Sequence, residues 1–431
     1  MHDEYEVIII GGGPSGLMAA IAASAAGART ALIDKGSKLG RKLGISGGGR
    51  CNVTNAMELD ELIRHIPGNG RFLHSAFAEF DNRSIIRFFE GLGIALKEED
   101  RGRMFPVSDK AKTVVDALVG RVRGQGVDIL VNRPVAEVRY EEGRTAGVRL
   151  QDGTVLSAGA VVIATGGKSV PHTGSTGDGY PWAEQAGHTI TELYPTEVPL
   201  TSDEAFIRSR ELQGLSLRDV TLTVWNAKGK KIVMHEGDML FTHFGLSGPA
   251  ALRCSQYVVK ALRAQAAKGG APDVELSIDL RPGSDTDGVA RDTLALAAAE
   301  PRKAIRNVLK AYYPERLVPL LLRRSGLDGD TTYANIPKQA CRQLAELTKR
   351  LSIRIDGTRS LEEAFVTGGG VHLKEIEPRT MMSRRMPGLF FCGEVLDIHG
   401  YTGGYNITAA FTTGHAAGKH AALHALQEPA H

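Results

Sequence analysis

The first forty residues change from apolar runs to glycine-rich or polar breaks in a regular order. Residues 6–10 (EVIII) are an apolar, β-branched run of the length of one buried strand. The segment GGGPSG follows, then an alanine-rich stretch that predicts a helix to about Ala26, where Gly27 ends it. A second apolar run, 30–33, stops at Asp34. This order of strand, glycine turn, helix, strand and acid predicts a βαβ unit.

Each glycine of the turn has a mechanical role in a nucleotide site. Gly11 permits the tight turn, Gly13 lets the backbone approach a pyrophosphate, and Gly16 lets the helix pack closely on the strand. The helix N-terminus then faces the phosphates. Asp34 lies 21 residues after Gly13, near the roughly 20 expected for a carboxylate that binds a ribose hydroxyl. The pattern predicts a Rossmann-type dinucleotide site.

Three later stretches indicate further contacts to one long ligand. Residues 161–167 (VVIATGG) are a strand that ends in small residues, and 388–394 (GLFFCGE) repeat this pattern. Residues 403–406 (GGYN) open a long alanine-rich helix, whose N-terminus would stabilise the anion that forms when an isoalloxazine ring is reduced. Contacts from the first strand to the last helix favour a permanently held FAD.

Seven motifs spread over almost the whole chain carry a resemblance to a known family. They are residues 40–42, 46–55 (SGGGRCNVTN), 105–111, 164–167, 173–180, 240–249 and 399–406. On these motifs the chain resembles the BaiN/RdsA family of flavoproteins. The resemblance implies an α/β, glutathione-reductase-type FAD domain interrupted by an inserted β-barrel and a small helical insert.

The hydrophobic pattern after residue 195 agrees with this organisation. Residues 221–225 and 274–278 alternate as strands, 288–350 have helical apolar spacing, and strand and glycine signals return from 352 onward. We therefore expect a discontinuous FAD domain of residues 1–195 and 360–431. The expected β-barrel insert is 196–287 with 351–359, and the helical basic insert is 288–350.

The loop 46–52 is the best candidate for the surroundings of the flavin, because three successive glycines expose backbone N–H groups. Arg50 adds charge for the diphosphate or the substrate, and the resemblance implies a backbone contact from Val135 to adenine. The residues expected to contact FAD are Gly11, Gly13, Pro14, Ser15, Gly16, Asp34, Lys35, Arg41, Lys42, Ser46, Gly47, Gly48, Arg50, Cys51, Asn52, Val135, Ala164, Thr165, Gly166, Gly393, Glu394, Gly404, Tyr405 and Asn406.

Reduction of an activated C=C bond needs a proton as well as a hydride, and four residues are candidate proton donors. Cys51 can supply a proton from its thiol, or it is a small buried hydrophobe. Tyr401, His399 and His243 are rivals, and His399 alternatively bonds only backbone.

Composition narrows the class of protein. An apolar share of 42% and a charged share of 23% are typical of a soluble globular protein, and no apolar run reaches the length of a membrane helix. The acidic start, MHDE, is not a secretory signal. The four cysteines, Cys51, Cys254, Cys341 and Cys392, have no CxxC or metal spacing. These features predict a cytoplasmic protein without a metal site or membrane partner.

The charge is unevenly distributed along the chain. Residues 290–359 hold 14 Lys and Arg against 7 Asp and Glu, a net charge of +7, whereas the whole chain has +3. Clustered positive charge is typical of nucleic-acid binding, although an ordinary charged helical surface is the alternative.

The sequence thus predicts an FAD-dependent oxidoreductase that uses NAD(P)H to reduce an electron-poor C=C. The resemblance includes members that reduce a uridine of large-subunit ribosomal RNA to dihydrouridine, and the basic insert favours that partner. One alternative is a small-molecule flavin reductase or oxidase, acting by enone reduction or amine oxidation. Another is a non-catalytic, flavin-bound redox sensor. No second GxGxxG motif marks a nicotinamide domain, so NAD(P)H would dock transiently.

Overall fold

The computed structural model describes residues 4–269 and 273–427. It divides the chain into two compact units, Met1–Tyr194 with Leu361–His431, and Pro195–Ser360. The strands within the described residues are β1 (Glu4–Ile10), β2 (Thr30–Asp34), β3 (Thr54–Asn55), β4 (Leu96–Glu99), β5 (Arg103–Pro106), β6 (Asp128–Val131), β7 (Val135–Glu141), β8 (Arg144–Leu150), β9 (Val155–Ile163), β10 (Ile190–Thr196), β11 (Leu200–Thr201), β12 (Ser216–Trp225), β13 (Lys231–Phe241), β14 (Gly245–Ser247), β15 (Val274–Asp279), β16 (Leu351–Ile355), β17 (Gly357–Thr358), β18 (Val366–Val371) and β19 (Leu389–Phe391). The α-helices of the same residues are α1 (Pro14–Ala25), α2 (Arg41–Gly49), α3 (Leu59–Arg64), α4 (His74–Phe77), α5 (Asn82–Gly91), α6 (Ala111–Gly124), α7 (Gly179–Gln185), α8 (Ala205–Arg208), α9 (Pro249–Ala266), α10 (Thr286–Ala299), α11 (Ile305–Val308), α12 (Val318–Ser325), α13 (Lys338–Lys349) and α14 (Tyr405–Gln427).

The main sheet of the first unit has the strand order β6-β2-β1-β9-β8-β7, with β19 paired to β9. Strands β6, β2, β1, β9 and β19 are parallel neighbours, whereas β7 and β8 form an antiparallel extension. Ile8 and Ile9 of β1 are fully buried, as expected for a strand covered on both faces. The predicted Rossmann-type α/β fold is confirmed.

The first and last described helices of this unit, α1 and α14, pack against each other through glycines. A Cβ placed on Gly414 would lie 2.3 Å from the carbonyl oxygen of Ser15, and one on Gly418 would lie 2.1 Å from that of Ala19. Only glycine permits such a close approach of the two backbones. The packing joins the glycine turn after β1 to the C-terminal segment.

Two small sheets complete the first unit. Strands β3, β5 and β4 pair antiparallel in that order, and β10 pairs with β18. The three-stranded sheet follows the predicted flavin loop directly in sequence, so it fixes one end of that loop.

The second unit is built on an antiparallel sheet of order β16-β15-β12-β13-β14-β11-β17. The helices α10 to α13 lie in sequence between β15 and β16, and their apolar residues, including Leu321 and Leu344, join those of the sheet in one core. Because β16 and β17 stand at opposite ends of the strand order, closure of this sheet into a barrel stays a prediction.

Two further findings concern the described residues as a whole. None of the helices in ranges 4–269 and 273–427 combines the length and the apolar character needed to cross a bilayer. Nor do His, Cys, Asp and Glu side chains in those ranges form a cluster that could hold a metal ion.

Candidate active site

The glycine turn after β1 has the geometry that a close backbone approach requires. Gly11 has φ +108°, and a Cβ there would lie 2.5 Å from the carbonyl oxygen of Ala164. A Cβ on Gly16 would lie 1.8 Å from the carbonyl oxygen of Gly11. Gly13, the N-cap of α1, is different, because a Cβ there would meet no atom within 4 Å. Internal packing therefore requires Gly11 and Gly16, whereas Gly13 borders open space. Pro14 follows as the first residue of α1.

Asp34 at the end of β2 is engaged with backbone. Its Oδ2 accepts a hydrogen bond from the Gly12 N–H at 2.8 Å, and its Oδ1 accepts one from the Gly36 N–H at 2.7 Å. These bonds fix the glycine turn and the loop after β2 relative to each other. Since a carboxylate has about four acceptor positions, Asp34 retains acceptor capacity for a ribose hydroxyl.

The predicted cationic residues Lys35 and Lys42 lie in two polar clusters. The Lys42 ammonium donates to Glu394 Oε2 and to Ser169 Oγ, both at 2.8 Å, and Lys35 pairs with Asp178 at 2.5 Å. A Cβ on Gly174 would lie 2.7 Å from an Arg41 guanidinium nitrogen. One cluster joins the loop after β2 to the segment after β9, and the other joins α2 to the segments after β9 and β19.

Glu394 is the centre of the cluster that contains Lys42. Burial raises the pKa of its carboxyl. The Lys42 ammonium and the hydrogen bonds from the Thr367 N–H and the Ser169 hydroxyl together lower this pKa by more, so it lies below its usual value. The carboxylate is therefore ionised at neutral pH. The preceding Gly393 has φ +75°, and a Cβ there would lie 2.4 Å from Ser15 Oγ, so this segment contacts the start of α1.

The loop 46–52 interrupts α2 with left-handed backbone. Gly47 and Gly48 have φ +56° and +68°, and Cys51 has φ +62° although it is not glycine. A Cβ on Gly48 would meet no atom within 4 Å, so this part of the backbone is open to a ligand. The Ser46 carbonyl accepts the Cys51 N–H at 3.0 Å, which closes the turn.

The Arg50 guanidinium has protein partners. It donates to Asp109 at 2.8 Å through Nε, pairs with Glu99, and lies 4.2 Å from the centroid of the Phe105 ring. These contacts tie the loop to β4 and to the segment after β5. The sequence assigned this charge to the diphosphate or the substrate, whereas its observed partners are two carboxylates of the protein.

The flavin loop also packs against the start of α14. Gly404 has φ +95°, and a Cβ there would lie 2.6 Å from the Thr54 carbonyl oxygen and 3.0 Å from Asn52 Oδ1. The hydroxyls of Thr54 and Thr408 are hydrogen-bonded at 2.7 Å. The N-terminus of the 23-residue helix α14 thus lies beside the glycine loop. Both segments are predicted to contact the flavin, and that prediction requires them to be neighbours.

Cys51 itself is completely buried. Burial raises the pKa of its thiol to about 12, with a smaller opposing effect from the Ser46 hydroxyl. The thiol therefore stays protonated at neutral pH. This state suits a proton donor but not a nucleophile, since the thiolate is the nucleophilic form.

His399 and Tyr401 lie in the loop before α14, among aromatic side chains that the sequence interpretation did not single out. His399 is buried, and its Nε2 is 2.9 Å from the Tyr194 hydroxyl. His65 stacks on Tyr405 with ring centroids 4.8 Å apart and meets the Tyr401 ring edge-on at 6.2 Å. His65 and Tyr194 belong to none of the motifs that indicated the cofactor site, and they are far from this loop in sequence, so only tertiary packing brings them to it.

Asn406 holds the same loop. Its Oδ1 accepts the Gly400 N–H at 2.7 Å, and its Nδ2 donates to the Gly400 and Tyr401 carbonyls at 2.9 and 3.2 Å. The Tyr405 ring is buried against His65. A contact of Asn406 or Tyr405 with a ligand would therefore use backbone rather than side-chain atoms.

The remaining predicted residues have separate positions. His243 is exposed and belongs to the second compact unit, between β13 and β14. Val135 begins β7 and pairs with Leu150. Ala164 follows β9 and donates its N–H to the Ile10 carbonyl at 2.9 Å, and Gly166 has the left-handed φ of +75°.

These residues fit FAD on two observations. Asn52 Oδ1 and Thr165 Oγ1 are buried and have no hydrogen-bond partner within residues 4–269 and 273–427, although buried polar atoms normally have one. In the glycine turn and the flavin loop, the backbone at Gly13 and Gly48 borders open space. The Rossmann sheet, the open glycine turn and the convergence of the flavin loop with α14 define an FAD-dependent oxidoreductase.

The chain belongs to the family of the HI0933-like protein Rossmann domain, whose sequence profile matches residues 5–420. It is 33% identical over 412 residues to a ribosomal RNA dihydrouridine synthase of Escherichia coli, covering 95% of this chain and 96% of that protein. It is 29% identical over 418 residues to a 3-dehydro-bile acid delta(4,6)-reductase of Clostridium scindens, covering 96% and 98%. The predicted resemblance to the BaiN/RdsA flavoproteins is confirmed.

The fold is also similar to that of a solved flavocytochrome c3 fumarate reductase in its open conformation. The TM-score is 0.52 at 20% identity, over 98% of this chain and 79% of that one. The likeness supports the flavoenzyme fold.

Proposed function

We propose that this enzyme reduces a uridine of large-subunit ribosomal RNA to dihydrouridine, with NAD(P)H as electron donor. The observation that carries the proposal is the similarity, over almost the whole of both chains, to a protein named ribosomal RNA dihydrouridine synthase. The site agrees with it, since a protonated, buried thiol lies in the glycine loop that we assign to the flavin. We also propose that the reaction takes place in the cytoplasm, where ribosomal RNA is found.

We assign the diphosphate and ribose of FAD to the turn after β1. The open backbone at Gly13 and the N-terminus of α1 suit two phosphates, and Asp34 retains acceptor capacity for a ribose hydroxyl. Asn52 and Thr165 supply the buried side-chain oxygens that still need partners. Backbone N–H groups of the flavin loop and of α14 face the ring system in this assignment.

The reaction adds one hydride and one proton across the C5=C6 bond of uracil. When bound in its two-electron reduced form, FAD supplies the hydride. The π bond breaks, one carbon receives the hydride, and the other receives a proton from an acid of the protein. The target base is unstacked from the RNA before it enters the site.

Cys51 is the proton donor that we favour. Its thiol is neutral at the pH of the reaction because burial raises its pKa to about 12. His399 and Tyr401 are rivals in the loop before α14. His243 stays a candidate in the second unit. The replacements C51A, H399Q, H243Q and Y401F test which of these side chains is needed for protonation of the substrate while FAD stays bound.

The second candidate function is reduction of a small-molecule enone. The similarity to the bile acid reductase of Clostridium scindens, also over almost the whole of both chains, favours it. In that case the excess Lys and Arg side chains of the second unit only contact solvent, and turnover does not need them.

The test is a half-reaction experiment. The purified yellow protein is reduced anaerobically with NADPH or NADH, then mixed with ribosomal RNA that lacks dihydrouridine, and flavin reoxidation is followed at its visible absorption band. We expect reoxidation together with a gain of two hydrogens on one uridine, detected by mass spectrometry. RNA that already carries the modification is the matched control and leaves the flavin reduced. Reoxidation by an enone but not by RNA would establish the second function instead.

A further inference from the structure

A shallow cleft of about 560 Å³, widely open to solvent, lies in the first unit, apart from the glycine turn and the flavin loop. Its size is in the usual range of small-molecule sites. It is lined by Asn69, Arg71, Phe72, Leu373, Lys374, Ile376, Pro378 and Arg384. The lining thus combines three cations with four apolar side chains, a combination that suits the phosphate groups and the base of a nucleotide.

Two of these cations are available to an anion. Arg71 and Lys374 are exposed, and neither forms an ion pair with another described residue. Arg384, the third cation, pairs with Glu377 at 2.8 Å. The neighbouring Arg385, by contrast, is paired with Glu375 at 3.1 Å.

One wall of the cleft is rigid because a buried polar network supports it. The Nδ1 atom of His188 is 3.2 Å from Glu375 Oε2, and its Nε2 atom is 2.7 Å from Ser383 Oγ. Ser383 Oγ also accepts the N–H groups of Arg385 and Met386 at 3.0 and 2.8 Å. Both Glu375 and Ser383 adjoin lining residues, so Lys374 and Arg384 are held on an ordered segment.

The lining segment around Asn69 is bonded to the candidate active-site loop. Asn69 has φ +62° and donates through Nδ2 to the Asp397 carbonyl at 2.7 Å. Gly68 donates its N–H to the His399 carbonyl at 2.9 Å, and a Cβ on Gly68 would collide with the His399 ring at 2.2 Å. The cleft therefore adjoins the loop that leads into α14.

We propose that this cleft binds the phosphorylated adenosine end of NADPH, with Arg71 and Lys374 on its 2′-phosphate and Phe72 against its adenine. The proposal rests on the proposed use of a nicotinamide donor. It supplies a docking site that a second dinucleotide-binding domain would otherwise provide, and it makes the enzyme selective for NADPH over NADH, which has no 2′-phosphate.

The direct test is calorimetric binding of adenosine 2′,5′-bisphosphate to the FAD-loaded protein. We expect R71A/K374A to weaken binding about 100-fold, roughly tenfold for each cation removed. The matched control is R87A/R379A, which removes two exposed arginines that do not line the cleft. It should bind the bisphosphate like the unmodified protein. Flavin absorbance measures the FAD content of each variant.

Anaerobic reduction of the flavin gives a second readout. In R71A/K374A the NADPH concentration for half-maximal rate should rise by a similar factor, while the limiting rate and the response to NADH stay unchanged. Failure of the unmodified protein to bind the bisphosphate overturns the proposal. So does equal binding by both double variants, or an effect confined to binding of ribosomal RNA.

The two proposals fail separately. If the bisphosphate binds in the cleft but reduced enzyme leaves ribosomal RNA unchanged, the substrate assignment is wrong and the nucleotide site stands. If RNA is reduced but the cleft variants behave like the control, only the nucleotide site is wrong.

Discussion

Cys51 combines a left-handed backbone with complete burial of its side chain. Its φ is +62°, in a region that non-glycine residues seldom adopt, and it follows three glycines that also have positive φ. Such conformations persist where the surrounding structure fixes them and are frequent at functional sites. The burial leaves the thiol neutral, because ionisation would place a charge in a low-dielectric environment.

We expect Cys51 in the folded protein to resist alkylation. With a pKa of about 12, on the order of one thiol in 10⁴ is ionised at pH 8, and the thiolate is the reactive form. Mass spectrometry after iodoacetamide treatment at pH 8 should find Cys51 unmodified, and modified once the protein is unfolded in guanidinium. Rapid modification in the folded state would contradict the burial.

The same pKa sets the sign of a stability effect. Since the folded pKa is raised above the unfolded value of about 8.5, burial of the neutral thiol contributes its full stability below about pH 8.5 and loses it as pH rises toward 12. Between pH 8 and 10 the free energy of unfolding should therefore fall less for C51A than for the unmodified protein. Urea unfolding at a series of pH values measures this difference.

At the scale of elements, the site depends on how the flavin loop meets α14. The three-stranded sheet β3-β5-β4 holds one end of the loop, and Arg50 ties it to Glu99 and Asp109. The start of α14 approaches Thr54 so closely that position 404 has no room for a Cβ. The helix N-terminus is therefore placed beside the loop by backbone contact rather than by long side chains.

Replacement of Gly404 by Ala should disrupt this contact. The new Cβ would lie 2.6 Å from the Thr54 carbonyl oxygen, and φ +95° is unfavourable for alanine. Strain of this kind costs of the order of 1 to 3 kcal/mol. We expect a lower urea midpoint and a lower FAD content in the purified protein, measured by absorbance.

Gly91→Ala is the matched control. Gly91 ends α5, and a Cβ there would meet no atom within 4 Å. This change should leave FAD content unaltered and stabilise slightly, by at most about 1 kcal/mol. If G404A retained full FAD content and stability, α14 would not be positioned by this contact.

At the scale of the whole molecule, the charge that the sequence concentrates in the helical insert is largely paired. Five of the ion pairs are Arg306 with Asp330, Lys310 with Glu315, Arg323 with Glu211, Lys349 with Asp279, and Arg350 with Glu275. Three of these carboxylates come from outside the insert. Nevertheless, the second unit as a whole keeps 25 Lys and Arg against 19 Asp and Glu, so an excess of positive charge remains.

If ribosomal RNA binds the insert, as proposed, we expect the cations without an ion-pair partner to carry that affinity. Arg302 and Lys338 are exposed and form no ion pair with other described residues. If both contact phosphate, R302A/K338A should reduce the slope of log affinity against log salt by about 1.4 to 1.8. Filter binding of ribosomal RNA over a series of salt concentrations measures this slope.

The control for this prediction removes an ion pair without changing the net charge. R306A/D330A eliminates one cation and its carboxylate partner, so the salt slope should stay the same. Identical slopes for the two double variants would mean that the insert is an ordinary solvated surface.

Much of the site was predictable where local sequence dictates backbone geometry. The order of strand, glycine turn and helix up to Asp34 needs only neighbouring residues, and the structure has these elements as β1, α1 and β2. Side-chain partners were less predictable. Nothing in the sequence around Arg50 indicates Glu99 and Asp109, which lie 49 and 59 residues away.

The sequence by itself determined the Rossmann-type FAD domain, because hydrophobic periodicity and glycine conformations act over a few residues. Only the tertiary structure decided three features. It placed His65 and Tyr194 beside the loop before α14, paired most of the insert's cations, and formed the cleft between residues 69–72 and 373–384. Each depends on contacts between segments far apart in the chain, and such contacts form only when the whole fold buries its apolar surface and satisfies its charges.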